Sequence, residues 1–92
     1  MIAAVDIETV DPNLQDLGPG AIRRDGYVIG VGIYCPAKGI NGFFATLDDV
    51  VRDILSDASI TKVFHNGIYD CDWLINYCGL TINGRIDDTM TR

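Results

Sequence analysis

The sequence holds a single glutamate, a single histidine and only seven basic residues against thirteen acidic ones, a formal net charge of −6 over 92 residues. So few lysines and arginines cannot hold a polyanion by counterion release, and a nucleic-acid ligand would need bound cations as intermediaries. Cysteine is also sparse. Cys35, Cys71 and Cys78 form neither an even set nor a C-x-x-C pair, which argues against a disulfide framework or zinc knuckle and for a reducing compartment. No apolar run approaches the roughly eighteen residues of a membrane span, and no basic stretch followed by an apolar one opens the chain. The expectation is a cytoplasmic protein with no membrane partner. Ninety-two residues, 48% of them apolar, suffice for one small domain with a packed core.

Hydrophobic patterning sets out the elements that are present. Met1 to Glu8 is apolar almost to its end and reads as a buried strand tipped by carboxylates. Val10 to Gly26, rich in Asp, Pro, Asn and Gly, reads as a long loop. Tyr27 to Tyr34 and Gly42 to Ala45 read as the second and third strands, joined through a turn at Pro36 to Gly39, so that the first three strands form an antiparallel meander. Thr46-Leu47-Asp48-Asp49 has the form of a capping box, and Leu47, Val50, Val51, Ile54 and Leu55 make the apolar stripe of a helix. Ile60 to Phe64 is a short strand expected to lie parallel to the first after a crossover. A second helix is expected over Tyr69 to Cys78, stopped by Gly79, then a strand within Leu80 to Ile86 and a helix cap at Asp88-Thr89.

Two groups carry chemistry. Residues two apart on a strand share a face, so Asp6 and Glu8 stand side by side. Their mutual repulsion is relieved by a hard divalent ion with oxygen ligands, Mg²⁺ or Mn²⁺. Asp70 follows the neighbouring parallel strand in the first turn of a helix, where free N–H groups and the helix dipole favour a charged carboxylate. Both strands then deliver acids to the edge at which open α/β sheets bind ligands.

Asp6-Ile7-Glu8-Thr9 resembles the first motif, and Asn66-x-x-Tyr69-Asp70 the second, of the DEDD 3′→5′ exonucleases. Gly18-Pro19-Gly20, Arg24-Asp25-Gly26-Tyr27, Phe64 to Asp70 and Ile86-Asp87-Asp88-Thr89-Met90 resemble the proofreading exonuclease domain of family A DNA polymerases of the bacteriophage kind. The resemblance implies an α/β, ribonuclease H-like mixed sheet, three antiparallel strands followed by parallel ones. It implies two-metal hydrolysis of the 3′-terminal phosphodiester of single-stranded DNA, in the cytoplasm of a host cell. Carried over by position, Asp6 bridges both ions, Glu8 serves the ion that carries the attacking water, and Asp70 serves the second ion. Asn66 and Tyr69 position the strand end or brace Asp70, and Thr9 donates to the terminal nucleotide.

The family's third motif, Tyr-x-x-x-Asp or His-x-x-x-x-Asp on a later helix, has no counterpart after Asp70. His65 to Asp70 matches the histidine form, but that parse leaves no second motif between Val10 and Ile60, so His65 reads as structural. The chain is therefore expected to be a C-terminally truncated exonuclease domain that binds metal weakly, cleaves little alone and leaves one sheet face open. A downstream polymerase segment, another chain or a second copy is expected to cover that face. Two rival readings are a non-catalytic binding or assembly module and an RNA-directed exonuclease that prefers 2′-hydroxyls. Gly30-Val31-Gly32 lacks the third glycine of a dinucleotide site and reads as close packing. Arg23-Arg24 reads as solvated, Trp73 and Tyr77 as packing residues, and Asp87-Asp88 as a helix cap.

Overall fold

Alternation governs strand β1 (Ile2–Val10): Ala3, Val5 and Ile7 are buried, whereas Ile2, Ala4, Asp6 and Glu8 are exposed. The computed structural model describes residues 1–17, 20, 21 and 24–89; Gly18, Pro19, Arg23 and Met90, named above, lie outside the described residues. The reading of β1 as a buried strand is corrected, since only its core face is covered. β1 pairs antiparallel with β2 (Tyr27–Cys35), and β2 with β3 (Ile40–Phe44), which is the expected meander. A 3₁₀ turn over Pro36–Lys38 joins β2 to β3, ending on Gly39 at φ +67°, a left-handed backbone natural to glycine. The loop after β1 contains one helical turn, α1 (Leu14–Leu17).

Helix α2 (Asp49–Ser56) begins later than the capping box at Thr46 suggests. Asp48 is the N-cap, its carboxylate accepting the N–H groups of Val50 and Val51, and a carboxylate in that place also suits the helix dipole. Val51, Ile54 and Leu55 are its buried stripe. β4 (Thr61–Phe64) then runs parallel to β1, and β5 (Ile86–Asp88) parallel to β4. Helix α3 (Gly67–Asp72) starts two residues before the expected Tyr69, passes into a π turn over Trp73–Tyr77, and stops at Gly79 (φ +70°). The last strand is displaced from the expected span, beginning only at Ile86. Asn83 in the intervening stretch is tied by its N–H to the Leu55 carbonyl.

The result is an α/β architecture in which a five-stranded mixed sheet, order β3-β2-β1-β4-β5, is accompanied by three helices. One core joins Ala3, Val5, Ile7, Val31, Ile33 and Cys35 of the sheet to the α2 stripe and to Trp73 and Leu74. Lys62 is also fully buried, and its Nζ donates to the carbonyls of Asp57 and Asn83, tying the two loops that flank β4 and β5. Burial lowers its pKa below 10.5, against the opposing pull of the Asp57 charge. No described helix is long and apolar enough to cross a membrane. Among the described residues the other sheet face stays open, with Ile2, Tyr34 and Phe43 each more than half exposed.

Candidate functional site

Parallel pairing of β1, β4 and β5 carries three chain segments to one edge of the sheet. Ala4 stands beside Val63 and Val63 beside Asp87, so one to two residues further on lie Asp6, His65 and Asp88. Asp6 and Glu8 are exposed on the same face of β1, opposite Gly32 and Gly30 of β2. Gly30 has a steric role: a Cβ there would collide with the Phe43 ring, which lies over it. The close-packing reading of the glycine pair therefore holds at Gly30, whereas a Cβ at Gly32 would make only an ordinary contact.

Asp70 sits in α3 and is only 5% exposed. Its pKa is pushed up to about 7, first by burial and then by the negative charges of Asp6 and Asp88. The expected easing of its charge by the helix start is thus overridden. Like-charge repulsion of this kind is the electrostatic half of a cation site, and the donors, all carboxylate oxygens, suit a hard ion such as Mg²⁺ or Mn²⁺. The structure places Asp70 within electrostatic reach of Asp6 and of Asp88, while Glu8 lies one pleat further along β1 than Asp6. Among the described residues no group of three or more His, Cys, Asp or Glu side chains is arranged around a single ion position.

Asp88 has a larger part than the helix cap expected of it. As the last residue of β5 its Oδ2 accepts the Gly67 N–H at 2.8 Å, pinning the start of α3 to the strand. A Cβ at residue 67 would lie 3.1 Å from that same oxygen, so glycine permits the approach. The signal for Asp88 in the sequence was its place at the end of a parallel strand.

Thr9 and Tyr69 meet each other. The Thr9 hydroxyl lies 2.8 Å from the Tyr69 hydroxyl, which donates to Oδ2 of Asp11 at 3.0 Å. Burial raises the Tyr69 pKa, the Thr9 bond opposing it and the Asp11 carboxylate reinforcing it. Asn66 precedes α3 and caps it through its backbone, its carbonyl accepting the Asp70 N–H at 2.9 Å, with no side-chain cap bond. Tyr69 therefore braces the helix that carries Asp70. Asp11 was missed, because an aspartate before Pro12 in a polar loop reads as turn chemistry.

His65 is exposed, and its Nδ1 lies 3.0 Å from the Thr89 hydroxyl, which donates to the Phe64 carbonyl. A groove of about 460 Å³ runs from His65 and Asp6 across Gly32 and Gly42 to Tyr34 and Asn41 on the open face. Trp73 is a core residue, as expected, and Tyr77 packs edge-on to it with ring centroids 5.1 Å apart. Arg24 is docked rather than merely solvated, its guanidinium 4.5 Å from the Tyr77 ring centre. Searches against family models, curated proteins and solved structures match this chain to none of them.

Proposed function

We propose that this chain is the cation- and strand-end-binding portion of a DEDD-type 3′→5′ exonuclease, of the kind that proofreads for phage-type family A DNA polymerases. The observation that carries the reading is Asp70 at the sheet edge, buried within electrostatic reach of Asp6 and of Asp88, its pKa pushed up to about 7. Supporting it, the sheet is a meander followed by two parallel strands, the arrangement that a ribonuclease H-like fold implies.

In this reading Asp6, Glu8 and Asp70 hold Mg²⁺ or Mn²⁺, which when bound activates water and stabilises charge on the scissile phosphate. Asp70 gives up its proton as the cation arrives, so affinity for the ion climbs as pH passes through about 7. Asp88 and Tyr69 hold the helix that presents Asp70, the first through Gly67 and the second through Thr9 and Asp11. Glu8, exposed beside Asp6 on the same face of β1, would complete the oxygen ligands of the ion. With no Tyr-x-x-x-Asp in the 92 residues, binding is the property to measure rather than turnover.

The test is fluorescence anisotropy of short labelled oligonucleotides in Ca²⁺, with EDTA as control. Binding is expected to need the divalent ion, to favour single strands with a free 3′ end over duplex, and to vanish in Asp6→Ala and Asp70→Ala. Binding that ignores both the ion and the two substitutions would overturn the nuclease reading in favour of an assembly module. Preference for ribo-oligonucleotides would move the substrate to RNA.

A further inference from the structure

We infer that Asp11 is a positioning residue for the carboxylate site: acting through the Tyr69 hydroxyl, it fixes α3, and with it Asp70, against the end of β1. This rests on the functional reading above for its consequence, though not for its geometry. An ionised carboxylate has no proton to give, so the Tyr69 O–H donates to Asp11 Oδ2 at 3.0 Å. The Tyr69 oxygen must then accept from Thr9, 2.8 Å away. Thr9 to Tyr69 to Asp11 is thus a chain of hydrogen bonds with one direction, ending on a charge that strengthens each member. Both ends lie on or just after β1, and the middle is the residue before Asp70.

The loop is shaped to seat this carboxylate. Gly20 N–H donates to Asp11 Oδ2 at 3.1 Å, and the Asp11 carbonyl accepts from Leu14 at 3.2 Å. A Cβ at residue 20 would lie 2.8 Å from Asp11 Oδ1 and would collide with the Asp25 carbonyl, so glycine is required there. A Cβ at Gly26, where φ is +110°, would collide with the Val10 carbonyl. Two glycines therefore fold the loop onto the end of β1. Asp11 Oδ1 is buried with no hydrogen-bond partner among the described residues.

The experiment measures Mn²⁺ affinity by isothermal titration, and the Asp70 carboxyl carbon resonance without metal, in the whole chain and its variants. Tyr69→Phe and Asp11→Ala are each expected to weaken Mn²⁺ binding about tenfold, the scale on which supporting partners of metal ligands act. The double variant should lose no more than either single one, and Asp11→Asn, which keeps an acceptor for Tyr69, should recover most of the affinity. The Asp70 resonance should move the same way in Tyr69→Phe and Asp11→Ala and return toward the wild-type position in Asp11→Asn. An Asp70 resonance unmoved in both, or additive losses of affinity, overturns the inference. Wild-type protein that ignores Mn²⁺ while the resonance still moves overturns the functional reading instead, and leaves the positioning role of Asp11 standing.

Discussion

Replacing Asp70 by asparagine removes a carboxyl group whose pKa is about 7 in the folded chain against 3.8 when free. Between those values the folded state keeps a proton that the unfolded state has released. The contribution of Asp70 to stability is therefore full below pH 4, falls as pH rises, and is gone above about pH 7. The whole interval corresponds to about 4 kcal/mol, a large share of the ~5–14 kcal/mol expected for a domain of this length. Between pH 5 and pH 8 the wild-type chain should lose about 2–3 kcal/mol relative to Asp70→Asn. Urea unfolding of both proteins in EDTA at the two pH values measures the difference, and comparison of the pair cancels the titration of the acids not coupled to Asp70. Asp70→Asn should be the more stable protein at pH 8, and saturating Mn²⁺ should close the gap from the wild-type side. Stability curves that run parallel from pH 5 to 8 would refute the reasoning.

Three further outcomes test the scaffold. Lys62→Met keeps the apolar stem but leaves the Asn83 carbonyl without its donor, whereas the Asp57 carbonyl retains the Ile60 N–H; a loss of about 1–3 kcal/mol by chemical denaturation is expected. Asp48→Ala removes the cap of α2 and should cost about 1 kcal/mol in the same assay, recovered largely by Asp48→Ser. Gly84→Ala forces a side chain onto a backbone at φ +84°, where its Cβ would lie 2.7 Å from the Ala58 carbonyl oxygen. It should lower stability by more than about 1 kcal/mol.

The elements most legible in the sequence were those with strong periodicity or β-branched runs. The meander of β1 to β3, the stripe of α2 and the parallel placing of β4 follow from pattern and connection rules alone. Boundaries moved where a local bond outranked the pattern. Asp48 captured the start of α2 from Thr46 because its carboxylate reaches two backbone N–H groups, and α3 began at Gly67 because Asp88 holds that N–H. The one-sided burial of β1 was misread because Ile2 and Ala4 are apolar yet lie on the open face. Within the site, Asp6, Glu8 and Asp70 were visible as carboxylates at strand ends. Asp88 stood near the same sheet edge but read as a helix cap, and its hold on Gly67, like that of Asp11 on Tyr69, acts across more than twenty residues of sequence and was not legible. The ordering of Asp70 energetics was also beyond the sequence, because a helix start and a buried neighbourhood of like charge pull in opposite directions and only packing decides which prevails.

The carboxylate edge of the sheet is where a divalent cation is expected to settle. Paramagnetic broadening of backbone amide signals by substoichiometric Mn²⁺ locates it residue by residue. The expected result is that Ile7, Gly67, Cys71 and Thr89, which surround Asp6, Asp70 and Asp88, fade first, while Asp49, Arg52 and Asp53 on the exposed side of α2 persist. Broadening centred on the α2 acids, or spread evenly over the surface, would contradict it.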